Sequence, residues 1–308
     1  MTETYHAINL PGLLPGNQLQ FDLFVHFKGQ YLCFRKEKSS LSPDLLDKLQ
    51  RQKISALFIQ SHAMKKYHLL MKTLLDQVLE IPADFSDEKK VDVLSAASSS
   101  SLRQMAHDPK DGEAYMMSCL TSRGMIELLL RDSSHLKTFF NVPAIDNDLF
   151  IHSRNVALLA AALGRKMGLK VETMLHLAIA GLLHDLGVMR VTAEERKIFY
   201  APADSLTKEQ KKIYAKHAKE SEEMLQQNTL IPHSVLELIS VHECTLSEWP
   251  DMSSAAQVLA LVNLFDKSVS IDKVPPALAF KNLKIKQVGN FHVKMINALG
   301  EVLKQAWF

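Results

Sequence analysis

His184 and Asp185 stand side by side at the end of an apolar run, LAIAGLLHDLG. Burying an imidazole and a carboxylate there costs free energy unless something takes up their polarity. A lone pair of this kind is ordinarily a satisfied core histidine beside a capping or salt-bridged aspartate. The chemical alternative is a pair of metal ions bridged by the carboxylate. His152, His217 and His242 tip the balance, because they add three imidazoles at or near the ends of expected helices. A structural zinc site would draw its ligands from one short stretch, usually with cysteines. Ligands spread over successive helices point instead to a site in a bundle core. Their number and type favour a two-metal hydrolytic centre that activates water and steadies a phosphoryl transition state. Iron or manganese suits this donor set best, with zinc or nickel also compatible.

The elements that must carry these residues fall into two compositional halves. FDLFVHF (21–27) and QYLCFR (30–35) read as strands joined at Lys28-Gly29, a hairpin signal. Ser42 as cap and Pro43 at the first helical position open a helix. ISALFI (54–59) reads as a third strand and MKKYHLLMKTLLDQVL (64–79) as an amphipathic helix. Residues 1–80 are therefore expected to form a small α/β domain. IPADFSDEKK followed by AASSSS marks 81–102 as a flexible connector. From 103 to 308 the periodicity is helical, with Val156, Leu159, Leu163 and Met167 on one face. Thr192-x-x-Glu195, Thr207-x-x-Gln210 and Ser254-x-x-Gln257 read as capping boxes, and Gly168 and Gly187 as C-terminal caps. The fold class is mainly α: a helical bundle preceded by a small α/β domain.

Composition narrows the function classes. The 36 Lys and Arg nearly cancel the 34 Asp and Glu, leaving a formal charge of +2 and no footprint for nucleic acid or an anionic membrane. No uninterrupted apolar run reaches about 18 residues, and the start lacks a basic region followed by an apolar one. Three scattered cysteines fit a reducing compartment, so a cytoplasmic protein without a membrane span is expected. Of the 13 histidines, His176 reads as a core residue or one lying behind the ligands, and those outside the ordered series as surface or structural.

His152-Ser153-Arg154-Asn155-Val156-Ala157 followed by His184-Asp185-Leu186-Gly187 resembles the HD superfamily of metal-dependent phosphohydrolases. KHAKESEEML (216–225), VHECTLSEWP (241–250) and VLALVNLFDKSVS (258–270) narrow the resemblance to the HD-GYP group, the cyclic di-GMP phosphodiesterases of bacteria. It covers about residues 148–270, and residues 1–80 are similar to the small domain that precedes many HD-GYP units. The resemblance implies an HD-type helical bundle and metal ligation by His152, His184, Asp185, His217 and His242, with Asp185 bridging two divalent ions. It also makes His184 and Asp185 the catalytic pair. Asp148, one turn before His152, is either a further acidic ligand or an acid at a helix start.

Departures from the family pattern are equally specific. Val188 stands where the family has a phosphate-contacting lysine, and Arg190 is the nearby candidate to replace it. Val241 replaces the first histidine of the His-His-Glu segment. Glu248-Trp249-Pro250 stands for Gly-Tyr-Pro, with Trp249 either stacking on a base or packing in its loop. Asn263 replaces a ligating aspartate; its amide oxygen can coordinate, but without charge. Asp266, one turn on, either compensates or makes a hydrogen bond behind the ligands. Two functions remain open: a two-metal phosphodiesterase acting on cyclic di-GMP or a related nucleotide, or a degenerate signalling module. The second would bind metal without turnover and dock a protein partner through the N-terminal domain. A phosphohydrolase for another ester is a third.

Overall fold

Lys28 and Gly29 take φ of 48° and 80°, the both-positive pattern of a type I′ turn, and the hairpin closes where the sequence places it. In the computed structural model, residues 4–10, 13, 15–52, 54, 56–80, 85–142, 148–201 and 205–307 are described. The hairpin strands are β2 (Leu23–Phe27) and β3 (Gln30–Arg35), with Phe27 opposite Gln30. β4 (Ala56–Gln60) pairs with β2, and β1 (Tyr5–Asn9) pairs with β4 from Tyr5↔Gln60 to Asn9↔Ala56. The order is β1-β4-β2-β3, every pairing antiparallel. β1 is not foreseen in the sequence. YHAIN buries only Ile8 among its described side chains, and its identity as a strand comes from its partner.

α1 (Pro43–Arg51) begins at the expected cap, with Ser42 Oγ accepting from Leu45 N at 3.3 Å. α2 runs Met64–Leu79, the bounds its periodicity predicts, and buries Tyr67, Met71, Leu74, Leu75 and Val78 along one stripe. The segment expected to be a flexible connector is instead helix. α3 spans Asp87–His107, capped by Ser86, and buries Val91, Val93, Leu94, Ala97 and Leu102. Its serines are inside with them. Ser98 Oγ donates to Ser95 O at 2.8 Å and Ser101 Oγ to Ser98 O at 3.0 Å. Small hydroxyls satisfied by their own helix let neighbouring helices approach closely. Residues 81–84 of the expected connector lie outside the described residues.

α4 (Gly112–Arg131) and α5 (His135–Phe140) lead to the bundle proper: α6 (Asp148–Lys166), α7 (Val171–Leu183), α8 (Ala193–Arg196), α9 (Lys208–Leu225), α10 (His233–Ser240), α11 (Ser254–Asp266), α12 (Pro276–Lys286) and α13 (Val293–Ala306). The boxes at Thr192/Glu195 and Thr207/Gln210 are complete. The third is displaced by one residue. Ser253, not Ser254, has the extended backbone of a cap and accepts from Ala256 N, while Gln257 turns to Met252 O. By length and apolar content Val171–Arg190 would suffice to cross a membrane, but 67% of its most apolar window is buried inside the protein.

Two glycines position the candidate ligands. A Cβ on Gly181 would lie 2.7 Å from the Ala157 backbone, so α6 and α7 touch at their main chains. A Cβ on Gly187 would lie 2.7 Å from His217 O and from Ser221 N. Gly187 is therefore no positive-φ cap as expected. It sits in a 3₁₀ turn (Leu186–Arg190), donates to Ser221 Oγ at 2.8 Å, and seats that turn against α9. Val188 in the same turn is fully buried, in a small cluster with Leu149, Ile198, Phe199 and Leu206. A lysine there would have to bury its ammonium.

Candidate metal centre

His152 lies in the second turn of α6, His184 caps α7 and Asp185 follows it. His217 sits mid-way along α9 rather than at a helix end, and His242 lies just beyond α10. All four imidazoles are buried, with side-chain exposures of 0–2%, and Asp185 is 13% exposed. The two oxygens of Asp185 divide the histidines between them. Oδ2 is 3.4 Å from His184 Nε2 and 3.8 Å from His152 Nε2. Oδ1 is 3.2 Å from His217 Nε2 and 3.4 Å from His242 Nε2. Two ligand trios sharing Asp185 result.

The polarity of this cluster is unbalanced in a way that identifies what it fits. His184 Nδ1 pairs with Gly181 O at 2.9 Å, His242 Nδ1 with Ile239 O at 2.6 Å, and His217 Nδ1 with Tyr214 O. A carbonyl accepts only, so each Nδ1 carries hydrogen and each neutral ring turns an Nε2 lone pair inward. His152 Nδ1 is likewise held by Asp266 Oδ2 at 2.8 Å, and Asp266 Oδ1 accepts from Asn155 at 3.1 Å. The inward atoms are crowded: His217 Nε2 lies 3.0 Å from His242 Nε2, and His152 Nε2 lies 3.3 Å from His184 Nε2. Asp185 Oδ1 is buried with no hydrogen-bond donor. Acceptors meet acceptors, and cations are what such a donor set fits.

Two further side chains complete the pattern. Asn263 donates to Glu243 Oε1 at 2.9 Å and to His242 O at 3.4 Å, which turns its own Oδ1 toward His152 Nε2 at 2.9 Å. Glu243 Oε1 stands 3.8 Å from both His217 Nε2 and His242 Nε2, and accepts from the Tyr214 hydroxyl at 2.8 Å. Asn263 thus joins the His152/His184 side and Glu243 the His217/His242 side. The sequence reading left Glu243 out of the ligand set, although it directly follows His242. Tyr214 and Lys267, whose Nζ lies 3.7 Å from the Tyr214 ring centroid, carried no signal in the sequence. They meet the site only because α9, packed on α10 and on the 3₁₀ turn after Asp185, comes up to the turn that follows α11.

Electrostatics matches the geometry. Burial, aided by the neighbouring His242 and His152, lowers the His184 pKa to about 3 against the pull of Asp185, so its ring is neutral. Burial opposes ionisation of Asp185, but His184, His217 and His242 outweigh it and hold the carboxyl well below its usual range. His152 and His217 are raised despite burial, by Asp266 and Asp185 respectively. Burial raises the Cys244 thiol, so that cysteine is no ready thiolate.

Other expected residues lie elsewhere. Arg190 is exposed, Trp249 is half-buried against the main core, and neither lines the cavity over Asp185. His176 pairs with Ser234 Oγ at 3.1 Å on α10, away from the ligands. The side chain of Asp148 is outside the described residues. The largest cavity described, about 450 Å³ between α4, α6 and α13, is remote from this chemistry. Its Arg131 pairs with Asp87 and its Lys166 with Glu301, while Arg165 donates to Leu129 O.

Residues 149–267 match the model of the HD domain family. Bd1817, an HDG"Y"P protein from Bdellovibrio bacteriovorus, is similar over 98% of this chain and 100% of its own, at 20% identity and a TM-score of 0.77. The HD domain of the L. monocytogenes phosphodiesterase PgpH, in complex with cyclic di-AMP, is a slighter likeness: 16% identity over 58% of this chain and 92% of its own, TM-score 0.38. No curated protein matches the sequence significantly. The histidine and aspartate series lies inside the segment that matches the HD-domain model, the fold is shared end to end with an HDG"Y"P protein, and Glu248-Trp249-Pro250 stands where the resemblance expects Gly-Tyr-Pro.

Proposed function

We propose that the chain is a two-metal phosphodiesterase acting on cyclic di-GMP or a related cyclic dinucleotide. The observation that carries this reading is the division of the Asp185 carboxylate between two imidazole pairs. His152, His184, Asp185 and Asn263 would hold one divalent ion, and His217, His242, Asp185 and Glu243 the other. Such ions supply Lewis acidity, yielding nucleophilic water at neutral pH and offsetting charge on a phosphoryl group. The protein's own part is positional. Backbone carbonyls fix three imidazoles in one tautomer, Asp266 fixes the fourth, and the Tyr214 hydroxyl holds Glu243 in place. In the reaction one water adds to phosphorus, one P–O ester bond breaks, and the leaving oxygen takes a proton.

A second groove, of about 360 Å³, reaches His242, Glu243 and Asn263 and is not lined by Lys267. Thr245, Ser247, Glu248, Gln287, Asn290 and Phe291 line it. Amides and hydroxyls suit the hydrogen-bonding edges of a nucleoside, which supports a nucleotide ligand. The decisive experiment combines metal analysis of protein purified without chelator with a turnover assay on cyclic di-GMP, cyclic di-AMP and their linear forms. Close to two ions per chain and metal-dependent hydrolysis are expected; fewer than one ion per chain would end this reading.

One observation favours a second reading, a signalling module that binds without turnover. The cavity directly over Asp185 measures about 10 Å³, room for no more than a single water. Tight binding of a cyclic dinucleotide to the metal-loaded protein, with no product formed, would establish it.

A further inference from the structure

The cavity over Asp185 is lined by His152, Asp185 and Asn263 on the ligand side, and by Phe199, Tyr200, Tyr214 and Lys267 opposite. Lys267 is the cation in that wall. It follows Asp266 directly and begins a π-helical turn, Lys267–Ile271, a local widening of the helix often associated with functional sites. Its ammonium lies 3.7 Å from the centroid of the Tyr214 ring and makes no ion pair among the described residues. It is also close enough to Glu243 to help keep that carboxylate ionised. The position where a phosphate-contacting lysine is expected, Val188, is a fully buried core residue, and Arg190 is exposed outside the cavity.

We propose that Lys267 is the specificity-determining cation of this site, receiving a phosphate anion in exchange for the Tyr214 ring. This rests on the reading of the site as a phosphoester centre, but not on turnover. A cation–π contact at a partly buried site is a modest tie. A charge-assisted hydrogen bond to a phosphate oxygen is the stronger partner, so an arriving anion displaces the ring. Because the cavity has room for only one water, phosphate enters as Lys267 and Tyr214 part. The contact that fills the site at rest is the one that opens it.

The test compares wild type with Lys267→Met and Lys267→Arg, all metal-loaded. Inorganic phosphate binding is measured by calorimetry, and the KM and kcat of a simple phosphodiester such as bis(4-nitrophenyl) phosphate by absorbance. Lys267→Met is expected to keep its metal content and lose about 10–100-fold in phosphate affinity, with KM rising more than kcat falls. Lys267→Arg, which keeps the charge, is expected to recover part of the affinity and guards against a folding defect in the methionine variant. A wild type without turnover whose phosphate binding still depends on Lys267 sinks the hydrolase reading and leaves this inference standing. Unchanged phosphate affinity in both variants, or no phosphate binding by wild type, overturns the inference whatever the turnover.

Discussion

Asp185 is the residue both halves of the centre share, and its substitution separates bridging from mere ligation. Asp185→Asn keeps size but offers one acceptor oxygen and an amide that donates. Its amide nitrogen would face one imidazole pair, so the variant should hold at most one ion per chain by metal analysis and, on the phosphodiesterase reading proposed above, lose hydrolysis by more than about 100-fold. Asp266 acts one layer out, gripping His152 Nδ1 from full burial. Asp266→Asn should weaken metal affinity by about 10–100-fold, readable by chelator competition, with the other three imidazoles undisturbed. Protonation adds a sign that can be checked. His152 and His217 are held above the ordinary imidazole value, so their protons compete with metal at higher pH than those of a free imidazole. Metal affinity should therefore rise with pH through and just above 6.5, by about tenfold per unit for each proton displaced. Flat affinity between about pH 6 and 8 would show that these protons are not what the metal replaces.

Among the elements, α3 shows why part of the fold stays hidden in the sequence. A tetra-serine run looks solvated because serine is polar, yet each small hydroxyl can bond to its own helix and vanish into a tight interface. Within the run Ser100 instead pairs with His68 on α2, and Ser95, just before it, keeps its hydroxyl buried without a hydrogen-bond partner. Ser95→Ala should therefore raise stability by about 1–2 kcal/mol, from the relieved desolvation and better helix propensity, as a higher midpoint in denaturant. In a flexible connector the same change would do nothing. By contrast α2 was legible to the residue, since its stripe from Tyr67 to Val78 keeps helical spacing. The gathering of the His and Asp side chains was legible too, because few roles suit imidazoles in apolar helices. Glu243, Tyr214 and Lys267 were not, because their meeting depends on how α9, the segment after α10 and the turn after α11 come together. Two glycine contacts fix neighbouring elements: Gly187 seats α9 on the turn after Asp185, and Gly181 brings α6 and α7 together. Gly181→Ala places a methyl 2.7 Å from the Ala157 backbone and should cost about 1–3 kcal/mol by overpacking. It should also weaken metal retention, because α6 and α7 carry His152 and His184.

At the scale of the molecule, one cluster of buried apolar side chains runs from Ile8 and Leu57 in the sheet region, through Leu74 and Leu94, to Leu183 and Leu261 around the ligands. Sheet and bundle thus share a core, and α2 and α3 are its seam. Chains with a continuous core tend to unfold in one step, although this one exceeds the size at which that is routine. The ligands come from α6, α7, α9, α11 and the segment after α10, so metal binding should be linked to that same step rather than to a local opening. A ligand at about 100 times its Kd stabilises by about 2.7 kcal/mol per site, and two ions would contribute about twice that. Stripping metal with a chelator should then lower the midpoint of the whole transition by several degrees, and far-ultraviolet ellipticity and tryptophan fluorescence should shift together. Trp249 and Trp307 both pack against the main core, one in the loop between α10 and α11 and one just after α13. If fluorescence alone moved on chelation, the centre would be coupled only to its surroundings, and the shared core would not be transmitting its stability.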